Sequence, residues 1–228
     1  MRKKIVYIIV LSLFLMPLVG CKTEQKLYSG QFFEYFDTIT QVRGYAESQE
    51  AFQETFDYVK EEIGTYHKFF DIYNTYDNII NLKTLNDHAG NGPQEVDQKI
   101  IDLLLFSQDM YALSHGKVNV AYGAVLSIWH DLRTQGRDFP DEARLPELSE
   151  LQEAATHTNI EDLVIDAEKR TVELRDPEMR LDVGALAKGY AAERVAESLK
   201  ARGEEHFLLS VGGNVRAIGA RDARGTPW

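Results

Sequence analysis

A single cysteine, Cys21, stands in the 228 residues of this chain. The sequence after it has no thiol left for a disulfide, a thiolate metal centre or a cysteine nucleophile. The six histidines show no H-E-x-x-H pattern and no zinc-ligand spacing, and no Ser-His-Asp order can be argued. Positive charge is scarce too: 25 Lys+Arg face 36 Asp+Glu, a formal net charge of −11. A surface of that sign is repelled by nucleic acid, which excludes nucleic-acid binding as a function class. Internal repeats, collagen-like composition and a clear domain linker are missing as well. What remains, at 44% hydrophobic residues, suffices for one sizeable domain with a buried core.

The start of the chain differs from the rest. Arg2, Lys3 and Lys4 precede an uncharged run from Ile5 to Val19, too short and too N-terminal for a membrane span. The run ends in Leu18-Val19-Gly20-Cys21, a small residue before a cysteine. Basic head, apolar run, small residue and cysteine together predict a lipoprotein signal peptide over 1–20, with Cys21 lipidated as the new N-terminus. The alternative is an ordinary signal peptide followed by a stray cysteine. Cleavage would remove Arg2, Lys3 and Lys4, leaving 22 Lys+Arg against 36 Asp+Glu, a formal charge of −14. Anionic headgroups repel such a surface, so attachment to the outer face of the cytoplasmic membrane is expected to rest on acyl chains. Residues 21–30 read as a polar tether and 31–228 as the domain.

Within the domain, aromatic and β-branched residues from Gln31 to Tyr45 predict a strand. Phe52, Phe56, Val59, Ile63 and Tyr66 fall at helical spacing over Ser48 to Phe70. Asp71 to Asn91 reads as loop with one helical turn, Pro93 to Ser114 as a second helix, and Gly116 to Arg137 as mixed. After a polar loop and a short helix over Pro146 to Thr156, Leu163 to Leu174 has the pattern of a hairpin. Arg180 to Val183 reads as a strand ending at a glycine turn, and Ala185 to Arg202 as an amphipathic helix stopped at Gly203. His206 to Val211 and Val215 to Ile218 pair across a Gly212-Gly213-Asn214 turn. The order predicts an α+β domain, an antiparallel sheet core flanked by helices.

R-L-D-V-G-A-L-A-K-G-Y-A-A-E-R, Arg180 to Arg194, carries the strongest chemical signal. A strand, a glycine turn and a helix entrance present free N–H groups and a positive dipole end to an anion. Lys188 adds a mobile positive charge, and Asp182 can accept from a ligand donor. The bland alternative is a strand-to-helix connection with Asp182 as a cap and Lys188 solvated. The segments His115 to Trp129, Phe70 to Leu82 and Ser210 to Val215 each allow a ligand-facing loop. Core packing is the better reading of the first two, and a simple hairpin turn accounts for the third without a ligand. Tyr73 and Tyr76, in a polar loop, are suited to stacking on a planar ring.

Taken together and in this order, these segments resemble the FAD:protein FMN transferases, the ApbE-like family, from about Phe36 to Trp228. Phe36-Asp37-Thr38, the loop around Tyr73 and Asn81, Gly116 to Trp129, Leu181 to Ala191 and Gly212-Gly213-Asn214 each match a family motif. The resemblance implies a T-fold-related domain. It also implies that Asp182 and Lys188 contact FAD, that Tyr73 stacks near the isoalloxazine and that Phe36 lines the same pocket. Lys117, Val118 and Asn119 follow the flavin, and Ala185 offers its backbone carbonyl to Mg2+. The reaction it implies cleaves the FAD pyrophosphate with Mg2+ and passes FMN to a Ser or Thr hydroxyl of a client flavoprotein. AMP is released.

The chain departs from the pattern in places. Lys117-Val118-Asn119 stands where Ala-Phe-Asp is usual, Ala121 where Thr is, and Ala124 where Pro is. The family's later His-Ile-x-x-Pro strand and Asp-x-x-x-Thr helix, with the side-chain Mg2+ ligands, are not in these residues. The chain is therefore expected to be C-terminally incomplete, and to leave a client unlabelled by itself. Two other readings stay open: a lipid-anchored FAD-binding protein without transfer activity, and a FAD pyrophosphatase.

Overall fold

The computed structural model describes residues 25–222 and 224–228. The signal-peptide and Cys21 expectations lie outside the described residues. The chain forms strands β1 (Lys26–Phe32) and β2 (Thr40–Ala46), then helices α1 (Gln49–Phe70) and α2 (Leu82–Asp87). Strand β3 (Gln94–Glu95) precedes helices α3 (Gln98–Leu113), α4 (Gly123–Asp138) and α5 (Leu148–Ala154). The hairpin β4 (Leu163–Asp166) and β5 (Thr171–Leu174), helix α6 (Ala187–Ala201), and strands β6 (Phe207–Val211) and β7 (Asn214–Ile218) complete it. One sheet has the order β1-β2-β6-β7 and a smaller one β3-β5-β4, all neighbours antiparallel. This is the expected α+β architecture.

The period-2 pattern builds the large sheet. Thr40, Val42, Gly44 and Ala46 are buried in β2 while Gln41 and Arg43 face solvent. Phe207, Leu209 and Val211 do the same in β6. Gly44 is the pairing partner of Phe207, and a Cβ there would sit 2.3 Å from the Phe207 ring, so the glycine is what lets the ring lie flat on the sheet. Against this face lies α1, begun by Ser48, whose hydroxyl accepts from the Ala51 N–H, and burying Phe52, Val59, Ile63, Tyr66 and Phe70. α6 turns Ala187, Ala191, Ala192, Val195, Ala196 and Leu199 inward; the small residues let it approach closely.

Four boundaries differ from the sequence reading. Residues 26–30, taken as tether, are the first part of β1: Lys-Leu-Tyr-Ser-Gly looks polar, but Phe32 is buried and Tyr28 packs on the core. The stretch read as one strand from Gln31 is broken by a turn, in which Phe36 and Asp37 take φ of 57° and 48°. Gly116 to Arg137 hid α4, which has no side-chain cap and buries only Gly123, so it lacks a clean apolar face. Arg180 to Val183 forms no ladder, only a parallel bridge between Arg180 and Tyr122, and α6 starts at Ala187 rather than Ala185. No helix among the described residues is long and apolar enough to cross a membrane.

Candidate functional site

The end of α1 organises a polar loop. Asp71 is buried, and its carboxylate accepts from the Tyr73 N–H at 2.7 Å, the Asn74 N–H and amide at 3.1 Å, and the Tyr76 hydroxyl at 2.7 Å. Fully buried Asn81 donates to the carbonyls of Lys68 (3.0 Å) and Asn74 (2.8 Å) and accepts from the Thr84 N–H (3.0 Å) and hydroxyl (3.1 Å). These bonds hold the Tyr73 backbone to the body of the domain.

His67 ties this loop to the β1–β2 turn. Its Nδ1 accepts from the Phe36 N–H at 3.3 Å, and its Nε2 lies 3.2 Å from the Tyr76 hydroxyl, which itself donates to Asp71. The bonds are mutually consistent only for a neutral imidazole that carries its proton on Nε2. Burial keeps the His67 imidazole below its ordinary value, against the opposing pull of Asp71 and Asp37. Burial works against the Asp71 carboxylate, but the bonds from Tyr73, Tyr76 and Asn74 outweigh it and hold the group below 3.8. Burial, reinforced by the bond to Asp71, pushes Tyr76 up to about 12.

Both shifts lower stability on acidification. Below 6.5 an unfolded His67 binds a proton that the folded one resists, so stability falls until the pH passes its depressed folded value. Asp71 contributes stability above 3.8 that is lost as pH drops through its still lower folded value. Urea midpoints are therefore expected to decline in two stages from pH 7 to pH 3. A His67→Gln variant should lack the first stage; a first stage of unchanged size in it would contradict the assignment.

A second segment is latched from both sides. The Asn86 side chain donates to the Leu181 carbonyl at 3.0 Å and accepts from the Leu181 N–H at 2.7 Å, all of it buried. The Asp182 N–H donates to the Val120 carbonyl (2.8 Å) and the Gly123 N–H to the Arg180 carbonyl (3.0 Å). Asp182 Oδ1 accepts from the Gly184 N–H at 2.8 Å, closing the turn into α6. Gly212, at φ 55°, passes so near that a Cβ would lie 2.7 Å from the Thr38 hydroxyl and 3.2 Å from Lys188 Cδ.

Adjoining cavities meet at Asp182. One, of about 270 Å³, is walled by Phe36, Asp37, His67, Tyr73, Asp182 and Lys188. Another, of about 260 Å³, is lined by Lys117, Val118, Asn119, Leu126, Asp182 and Ala185. A third, of about 300 Å³, is bounded by Tyr73, Leu126, His130, Arg180 and Asp182. Each approaches the lower end of the range for cofactor sites, roughly 300–1,000 Å³. Phe36, Tyr73, Asp182 and Lys188 thus share one cavity, and Lys117, Val118, Asn119 and Ala185 line the adjoining one. Tyr76, also expected to stack on a planar ring, lines none of the three, because its hydroxyl is bonded to Asp71 and His67. Lys188 makes no side-chain hydrogen bond or ion pair among the described residues. The Asn119 amide is committed internally, donating to the Thr158 carbonyl and accepting from the Ala121 N–H at 2.9 Å each.

Asp37, His67, Asp71, Asn86 and His130 escaped the sequence reading. Asp71 had a signal: an aspartate directly after an amphipathic helix and before Tyr-Asn, the spacing of an Asx turn. Asn86 and His130 had none, because their partners lie far along the chain. For a divalent metal, Ala185 is an exposed residue whose carbonyl accepts no hydrogen bond among the described residues. The described residues contain no group of three or more His, Cys, Asp or Glu able to hold a metal ion. A single carbonyl is not a site for a hard cation.

Comparison with known proteins follows from this geometry. The model of the ApbE family matches residues 36–228. The chain belongs to the ApbE family. An FAD:protein FMN transferase of Vibrio cholerae is 29% identical over 222 residues, 94% of this chain and 61% of that protein. Another, from Treponema pallidum, is 32% identical over 145 residues, 61% of this chain and 38% of its own. Among solved structures, the flavin transferase ApbE from Vibrio cholerae superposes with a TM-score of 0.72 at 22% identity, covering 90% of this chain and 62% of that one. The flavinyl transferase ApbE of Pseudomonas stutzeri gives 0.72 at 19% identity, over 90% and 64%. The fold is thus that of the ApbE flavin transferases. The chain spans about two-fifths to three-fifths of the length of these curated relatives.

Proposed function

We propose that this ApbE-family chain binds FAD in the cleft around Asp182, and that its protein transfers the FMN half to a Ser or Thr hydroxyl of a client flavoprotein. The observation that carries this is the convergence of Phe36, Tyr73, Asp182 and Lys188 on one cavity from widely separated segments. Tyr73 presents a half-exposed ring for the isoalloxazine. The Lys188 ammonium stands at the entrance of α6, where a pyrophosphate gains both a mobile charge and the positive dipole end. In the transfer, a bond forms between the client's hydroxyl oxygen and the FMN phosphorus, the hydroxyl proton is released to solvent, the pyrophosphate P–O bond breaks, and AMP leaves with the displaced oxygen. Magnesium belongs to this reading as the neutraliser of phosphate charge when bound. Ala185 offers its carbonyl, but the described residues do not by themselves make a metal site.

The reading includes anchoring through a lipidated Cys21 at the outer face of the cytoplasmic membrane. Cys21 precedes β1 by only five residues, a reach of at most about 18 Å. The domain would then stand close to the bilayer.

The test combines FAD titration by flavin fluorescence with transfer assays in the presence of Mg2+. Covalent flavin fluorescence on a client after denaturing electrophoresis is the expected result for a form that includes the side-chain metal ligands, while the 228 residues alone are expected to leave the client unlabelled. AMP release without label would replace the transferase with a pyrophosphatase, and tight binding without turnover would leave a binding protein. Lys188→Ala is expected to weaken FAD about 10- to 100-fold, the worth of a charge-assisted hydrogen bond. Riboflavin, which has no phosphate, should be unaffected. Equal weakening of both would remove Lys188 from the phosphate.

A further inference from the structure

Tyr73 does not stand alone in the cleft. The His130 ring, on α4, stacks on it with centroids 4.7 Å apart and planes at 27°. Tyr73 is 52% exposed despite that cover, and it borders the cavities of about 270 and 300 Å³ while His130 borders only the latter. The ring is also aimed: Arg133 Nη2 lies 3.1 Å from His130 Nδ1, within hydrogen-bond reach. An edge-held aromatic ring beside a second aromatic is a surface for a flat ligand, because π faces attract offset faces.

The two rings differ in how firmly they are held. Tyr73 has its N–H bound to Asp71, in a loop locked by Asn81. α4 buries nothing beyond Gly123 and leaves Leu126 and Trp129 more than two-fifths exposed. It rests on the 3-10 turns at Pro140–Glu142 and Ala155–His157 and on α5. A planar ring between two others needs about 7 Å, twice the stacking contact of roughly 3.5 Å. The gap must therefore widen by about 2 Å, and α4 is the side able to give.

We propose that His130 is a flavin-binding residue, the second face of a clamp that takes the isoalloxazine against Tyr73. The clamp rests on the FAD reading above and adds its opposite wall. His130 contributes by contact area and ring orientation, and Arg133 acts through it as a positioning residue.

FAD and riboflavin titrations of the full chain test this, with His130→Ala, His130→Phe and Tyr73→Ala beside the wild type. His130→Ala is expected to weaken both ligands about 3- to 10-fold, the worth of one aromatic stack. His130→Phe should restore affinity to within about twofold, and with it the displacement of the visible flavin absorption band. Thermal midpoints should stay unchanged, because His130 lies on a largely exposed helix. Unchanged or tighter binding by His130→Ala would overturn the clamp, as would a His130→Phe variant no better than alanine. If Tyr73→Ala still weakens FAD in that event, the FAD reading survives without His130. A wild-type chain that binds no flavin removes both.

Discussion

Asn86→Ala is expected to lower the unfolding free energy by about 2–4 kcal/mol and to weaken FAD binding with it. The side chain holds both polar groups of Leu181, and all the atoms involved are buried. Truncation would strand a carbonyl and an N–H away from water, at roughly 1–3 kcal/mol for each unsatisfied group. Leu181 is the residue before Asp182, so a loosened Leu181 displaces the carboxylate at which the cavities meet. Urea unfolding and FAD titration on the same preparation measure the two effects. A loss of stability under 1 kcal/mol would mean that the latch is redundant. Asn86→Asp separates the halves: it retains the acceptor for the Leu181 N–H but sets an oxygen against the Leu181 carbonyl.

Gly123→Ala should also destabilise the domain, by about 1–3 kcal/mol. A Cβ at this position would lie 2.4 Å from the Arg180 carbonyl oxygen, 2.6 Å from its carbon and 2.9 Å from the Leu181 carbonyl carbon. All three are backbone atoms, with no flexible end to move aside, so overpacking must be relieved by shifting a segment. The shift would break the Gly123-to-Arg180 hydrogen bond and strain the one from Asp182 to Val120. Gly136→Ala, in the same helix, is the control. Its Cβ would meet only Ala143 among the described residues, 3.1 Å from the Cβ and 3.5 Å from the Cα, and alanine has the higher helix propensity. Equal stability of the two variants would show that α4 docks less tightly on the 180–183 segment than the contact implies.

The sequence revealed most where one element carries the whole signal. α1 and α6 were legible from their apolar spacing, and the β6–β7 hairpin from Gly212-Gly213-Asn214, because each is local. β1 was half lost: its inward residues include Gly30, against which the Phe56 ring packs, and a glycine carries no hydrophobic mark. α4 was missed for the converse reason, being a helix with almost nothing to bury. At the site, Phe36, Tyr73, Asp182 and Lys188 came from ordered motifs whose joint occurrence resembled a family, and the fold sets them on one cavity. Asn86 and His67 hold those residues through bonds spanning 95 and 31 positions. Such pairings leave no trace in periodicity, composition or spacing.

Phe36 and Asp37 sit in the left-handed region, at φ of 57° and 48°, with neither a glycine nor an asparagine to ease them. Sparsely populated backbone states of this kind cost on the order of 1–3 kcal/mol each. The groups that hold the turn there, the His67 acceptor and the adjoining core, are the protein's own. Folding thus meets the cost of shaping this wall in advance, and an arriving ligand finds it set. A glycine at position 36 would relax the backbone but remove the ring that packs on the core and against His67, and it would give the wall freedom that binding must then remove. Strain in the backbone and packing of the ring are opposed at this turn, and the ring is what fixes the wall.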